Sequence, residues 1–141
     1  MVIRDANPED SAAIAEITAE GLGYDCTLEV VARNIAALDR THARLFVAEI
    51  DGSVVGFVEP QVYEAVYFAT LVNILGLAVR ESHRGTGIGK ALMEAAENWA
   101  KEIGAKGVRL NSGATRTNAH GFYRHIGYTT EKKQIRFMKE F

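Results

Sequence analysis

The apolar positions of the chain change period several times, and each change marks an element. Residues 2–5 (Val-Ile-Arg-Asp) read as a short strand. Asn7-Pro8-Glu9-Asp10 follows, with an N-cap residue, a proline suited to the first helical position and acids in the first turn. Ala13, Ile14 and Ile17 carry that helix to Gly21-Leu22-Gly23, and a second begins after Thr27, with Leu28, Val31, Ile35 and Leu38 three or four apart. The period then shortens. Apolar runs at 45–50 and 54–58 flank Asp51-Gly52, a strong two-residue hairpin signal. Residues 66–79 form another apolar run, which its β-branched and aromatic members (Val66, Tyr67, Phe68, Val72, Ile74, Val79) favour as a strand. Ile88, Ala91, Leu92, Ala95, Trp99 and Ile103 make a helical stripe ended by Gly104. A strand at 108–110, a short helix at 119–126 and a last strand at 134–139 complete the chain. Both prolines, Pro8 and Pro60, are expected at element boundaries. The order predicts a mixed α/β fold around one sheet, in a single domain spanning 1–141.

Composition narrows the class. At 141 residues, with 48% hydrophobic and 24% charged residues, the chain has enough apolar material for one packed core. Sixteen Lys and Arg against eighteen Asp and Glu leave a formal net charge of −2, which argues against a nucleic-acid binder. A single cysteine, Cys26, excludes an intramolecular disulfide and, with four scattered histidines, speaks against a structural zinc site. His120 and His125 lie five apart, off the i,i+4 spacing of paired ligands, and no metal is expected. No apolar run reaches ~18 residues and no basic-then-apolar leader opens the chain, so a cytoplasmic protein without membrane attachment is expected.

The chemistry concentrates in residues 79–92, where a strand signal runs into a glycine-dense loop that opens a helix. N–H groups at a helix start lack intrahelical partners and sit at the positive end of its dipole. Glycines remove the side chains that would keep a phosphate from them, and Arg84 and Lys90 add positive charge. The pattern predicts a pyrophosphate site. It is not a P-loop, because position 84 is Arg84 rather than glycine and position 91 is Ala91 rather than Ser or Thr. The dinucleotide fingerprint also fails, since Lys90 stands where its last glycine belongs.

The stretch Arg84-Gly85-Thr86-Gly87-Ile88-Gly89 resembles the Arg/Gln-x-x-Gly-x-Gly/Ala motif of the GCN5-related N-acetyltransferase (GNAT) superfamily, preceded by that family's Leu-Ala-Val at Leu77-Ala78-Val79. A second motif, Asn118-Ala119-His120-Gly121-Phe122-Tyr123 with Gly127-Tyr128, matches downstream. The resemblance implies a mostly antiparallel mixed sheet flanked by about four helices, with a strand pair splayed at the cofactor site and Gly76 a suitable place for the irregularity. It implies acetyl-coenzyme A as co-substrate and direct acetyl transfer to a primary amine of a small molecule or peptide. The cofactor would be held by Leu77, Ala78, Val79, Arg84, Gly85, Thr86, Gly87, Ile88, Gly89, Lys90 and Asn118, with Asn118 alternatively a helix N-cap. Tyr123 falls at the family's proton-donor position, and a phenol with pKa near 10 can donate to a departing thiolate; packing of a short helix is the competing reading.

The general base is not legible. The strand before the loop reads Val72-Asn73-Ile74-Leu75-Gly76-Leu77, without the acid that many relatives carry there. Glu59, Glu64, Asp25 and His120 remain candidates on equal terms, and Asn73 suits only the positioning of water. Acceptor recognition is expected from the loop at 21–27 and from 63–68, which hold Tyr24, Asp25, Tyr63, Glu64, Tyr67 and Phe68. Two alternatives stand beside the enzyme: an acyl-coenzyme A-binding regulatory module of weak activity and, less well supported, a nucleotide-phosphate enzyme. A homodimer pairing through the strand at 134–139 is a further expectation. Cys26 reads as a small packed thiol and Trp99 as core.

Overall fold

Five strands pair in the order of the chain: β1 (Val2–Asp5), β2 (Phe46–Ile50), β3 (Ser53–Ala65), β4 (Phe68–Val79) and β5 (Val108–Leu110). The first three pairings are antiparallel and β4–β5 is parallel. The computed structural model describes residues 1–130 and 132–141. They fall into two compact units, Met1–Leu110, which holds the sheet, and Asn111–Phe141.

In the first unit, helices α1 (Ser11–Leu22) and α2 (Leu28–Ala36) follow β1, and α3 (Ile88–Glu102) follows β4. The start of α1 is fixed by a short 3-10 turn, Pro8–Asp10, in which the Asn7 side chain accepts from Glu9 N–H and Asp10 Oδ2 accepts from Asn7 N–H at 2.9 Å. Thr27 caps α2 by accepting from Val30 N–H. Asp51 and Gly52, at φ 50° and 79°, make the tight turn that the β2–β3 hairpin requires.

Strand alternation sends successive side chains to opposite sheet faces. Phe57 packs in one cluster with Ile14 and Ile17 of α1, flanked by Val31 and Ile35 of α2. A side chain at Gly56, by contrast, would meet Leu92 of α3. The sheet is thus covered by α1 and α2 on one face and by α3 on the other, where Leu92, Met93, Ala96 and Trp99 are buried. Trp99 is core, as its spacing suggested.

Two expectations need correction. Pro60 does not bound an element; it is buried inside β3, which runs on to Ala65. The pairing slips between Glu59 and Pro60, since Glu59 faces Gly76 while Pro60 faces Ile74. Proline, which has no N–H to give, is tolerated where the ladder is irregular. The strand expected at 134–139 is absent. These residues belong to the second unit, whose helix is α4 (Thr117–His125), and have no regular structure; Ile135, Phe137 and Met138 are exposed. Apolar, β-prone residues make a strand only when a neighbouring edge takes their N–H and C=O groups.

Candidate active site

The slip at Glu59 leaves one β4 residue, Leu75, without an opposite number, so the irregularity falls beside Gly76. It lies next to the last β4–β5 pair, Ile74 with Leu110, where β5 ends. β5 pairs with β4 only at Val72, Asn73 and Ile74, whereas β4 continues to Val79. The rest of β4 follows β3: Leu77 faces Val58, Ala78 faces Phe57 and Val79 faces Gly56. The Arg80 N–H bonds the Val55 carbonyl at 2.8 Å. By alternation the N–H groups of Leu77 and Val79 then point away from β3, to the edge on which β5 pairs farther back. The Val79 carbonyl confirms the direction by accepting from Arg84 Nε at 3.2 Å. β4 therefore turns two N–H donors to the edge away from β3, past its last pair with β5.

Residues Glu81–His83 form a 3-10 turn after β4, and the loop from Arg84 leads into α3. Gly85 and Gly87 have φ of 77° and 86°, a region costly to residues with a side chain, and nothing lies within 4 Å of where their Cβ atoms would be. The space above both glycines is open. The first intrahelical bond of α3 runs from Ala91 N–H to the Gly87 carbonyl at 3.1 Å, so Ile88, Gly89 and Lys90 turn N–H groups toward that space. The Thr86 hydroxyl donates to the His83 carbonyl, tying the loop to itself. Arg84 and Lys90 are exposed, Lys90 loosely paired with Glu94 at 4.0 Å. The root of the loop is anchored to α1, with Arg80 on Glu16 at 3.0 Å and Glu81 N–H on Glu20 Oε1 at 2.7 Å. Open glycines, unpaired N–H donors at a helix start and two exposed cations fit a pyrophosphate. The loop residues and residues 77–79 thus lie along one strand–loop–helix track.

These features match a known family over most of the chain. The model of the acetyltransferase (GNAT) family matches residues 12–128. The chain belongs to the GNAT family. It is an N-acetyltransferase with acetyl-coenzyme A as co-substrate, and its five-stranded mixed sheet is the GNAT fold. Among curated relatives, it is 28% identical to an aminoglycoside N(6')-acetyltransferase type 1 of Stenotrophomonas maltophilia, over 96% of this chain and 90% of that protein. It is 32% identical to an aminoalkylphosphonate N-acetyltransferase of Salmonella typhimurium, over 97% of this chain and 89% of that protein. Among solved structures, the aminoglycoside acetyltransferase AAC(6')-Iy in complex with the bisubstrate analog CoA-S-monomethyl-acetylneamine superimposes with a TM-score of 0.84 at 19% identity, covering 99% of this chain and 97% of that one.

The remaining expected site residues lie on α4 of the second unit. Asn118 is the second residue of α4, whose N-cap is Arg116, so Asn118 is not the cap. Tyr123 is half-buried, edge-on to Phe122 at 5.2 Å and to Tyr128 at 6.0 Å, and burial pushes its phenol above the ordinary value against a smaller opposing effect of Arg116. The phenol is therefore protonated at neutral pH, as an unperturbed tyrosine already is.

The base candidates separate clearly. Glu64 and Asp25 are exposed, and the His120 ring lies 2.8 Å from the Gly113 carbonyl. Asn73 Oδ1 is taken by Arg109 at 2.6 Å. Glu59 differs from all of these. It is half-buried beside the β4 irregularity, and burial raises its carboxyl above the usual range. It lines a cavity of about 290 Å³ between α1, α2, β3 and β4. Sequence reasoning placed Glu59 no higher than its rivals because one slip in pairing decides which face it takes. Of the expected acceptor residues, Tyr24 lines this cavity, while Tyr63 stacks on Phe68 at 5.5 Å at the far end of the β3–β4 hairpin. Cys26 also lines the cavity, its Sγ 3.8 Å from the Ala15 carbonyl. No helix among the described residues is long and apolar enough to cross a membrane.

Proposed function

We propose that the protein transfers the acetyl group of acetyl-coenzyme A directly to a primary amine of a small molecule or peptide, within one functional domain spanning 1–141. The observation that carries this reading is the track from the β4 edge into the open glycine loop. The Ile88, Gly89 and Lys90 amides, with Arg84 and Lys90, hold the pyrophosphate. Gly85, Thr86 and Gly87 shape the approach. The Leu77 and Val79 N–H groups, on either side of Ala78, bond the pantetheine arm and polarise the thioester carbonyl, which accumulates negative charge as the amine attacks. Asn118 orients the cofactor, and Tyr123 supplies the proton that the leaving sulfur needs. The curated relatives support an amine acceptor, since both are named for acetylation of amine-bearing small molecules.

Calorimetry with coenzyme A, run beside a thiol-release assay over a panel of amines, tests the reading. Binding accompanied by amine-dependent thiol release is the expected result. Binding without release for any amine supports the regulatory module instead, and no binding by folded protein overturns the proposal.

A further inference from the structure

We propose that the cavity between α1, α2 and the irregular stretch of β3 and β4 is an acceptor pocket for a compact primary monoamine with an apolar body, in which Glu59 holds the ammonium group and takes its proton. The inference rests on the acetyl-transfer reading above and adds to it the substrate class and the base.

Size comes first. At about 290 Å³ the cavity lies at the lower edge of the ~300–1,000 Å³ range of small-molecule sites. Its walls are apolar: Ile14, Leu22, Val31, Ile35, Phe57 and Leu75. Among the described residues that line it, Glu59 alone carries a charge; Thr18, Tyr24, Cys26 and Asn34 are the neutral polar members. A cation entering this space finds one counter-charge. A second ammonium held inside the same space would lose water and find no second counter-charge. The pocket therefore selects one amine on an apolar frame over a polycation.

Position gives Glu59 its role. It faces Gly76 across the pairing slip, and Leu75 and Gly76 both line the cavity immediately before the β4 edge that polarises the thioester. Among the described residues no hydrogen bond or ion pair compensates the Glu59 carboxylate, although it is half-buried. A bound ammonium would supply the missing partner. Burial raises the carboxyl above its usual range, which brings its basicity nearer to that useful for proton abstraction at neutral pH.

The step balances as follows. Glu59 removes one proton from the ammonium, freeing the nitrogen lone pair. The C–N bond forms at the acetyl carbon as the C–S bond breaks, its electron pair leaving on sulfur. Sulfur acquires one proton, the nitrogen gives up its second, and Glu59 returns its own to water. The net products are an amide, a free thiol and one proton.

The test uses the full chain with acetyl-coenzyme A and four acceptors: 2-phenylethylamine and isopentylamine as compact monoamines, spermidine and kanamycin as polycations. The monoamines are expected to exceed the polycations in kcat/KM by about tenfold or more, the factor reached when ~1.4 kcal/mol separates two acceptors. Glu59→Gln should lower kcat/KM on the monoamines by roughly 10²–10⁴-fold, the usual worth of a positioned base, with coenzyme A affinity kept by calorimetry. Val30→Trp, at a partly exposed lining position, should raise KM for 2-phenylethylamine while sparing coenzyme A binding. Spermidine or kanamycin as the best acceptor overturns the pocket assignment and leaves acetyl transfer standing. A folded Glu59→Gln protein with parental turnover overturns the base assignment. Failure of every amine, with no coenzyme A bound, marks failure of the underlying reading instead.

Discussion

Replacing Gly87 by alanine separates two costs that are usually entangled. Gly87 is the N-cap of α3 at φ 86°, and no atom lies within 4 Å of a Cβ built on it. In the free protein the new methyl group meets no neighbour, so the loss of stability is the conformational penalty alone, about 1–2 kcal/mol. Urea unfolding should show a lower midpoint with an unchanged slope. In the complex the same methyl group occupies the space from which a phosphate approaches the Ile88, Gly89 and Lys90 amides. Losing one hydrogen bond to a charged oxygen costs ~1.5–3 kcal/mol, so coenzyme A should bind about 10- to 100-fold more weakly by calorimetry. Dephosphorylated pantetheine, which lacks the pyrophosphate, should lose nothing beyond the scatter of the measurement. The reasoning is refuted if Gly87→Ala is destabilised as stated yet binds coenzyme A with parental affinity, because the phosphate then lies elsewhere.

Three further outcomes are expected. Tyr123→Phe keeps the ring contacts with Phe122 and Tyr128 and removes only the hydroxyl, so turnover should fall by roughly 10²–10⁴-fold with coenzyme A affinity unchanged; a loss below about tenfold would make Tyr123 a packing residue. Asp10, 7% exposed and held by Arg4 at 2.8 and 2.9 Å, has its carboxyl below the usual range because of Arg4 hydrogen bonding. Its stabilisation is full above the unfolded value of about 3.9 and disappears as pH falls through the lower folded value. Asp10→Ala should cost about 3 kcal/mol near neutral pH, the low end for a buried pair since Arg4 is partly exposed, and flatten the acid limb of a urea-unfolding series. Sedimentation at micromolar concentration is expected to show a homodimer, formed without a strand at 134–139, and a monomer there refutes the assembly.

Local signals explain why so much of the fold was readable. Asn7, Thr27 and the Asp51-Gly52 pair act through bonds to residues two or three away, so their geometry is written beside them. The glycine loop was legible for the same reason: donors, glycines and cations are contiguous. What escaped reading depends on partners far along the chain. Pro60 looks like punctuation until Ile74 is found opposite it, and residues 134–139 look like a strand until one asks which edge accepts them. Glu59 was one acid among several because its surroundings come from α1, α2 and β4 together. Glu59, the base proposed above, sits on β3 opposite Gly76 rather than on β4 itself.

The short reach of β5 along β4 also bears on the protein's life without its donor. Past Ile74, β5 does not take up the edge of β4, and an unclaimed strand edge invites pairing with other chains. In the binding mode proposed above, an amide-bearing pantetheine arm would lie along that edge as a surrogate strand, and any ligand restricted to the native state adds about 2.7 kcal/mol at a hundredfold excess over its Kd. On that reading the donor would act as a chaperone for the sheet that binds it, and resistance to self-association would rise with the supply of acetyl-coenzyme A.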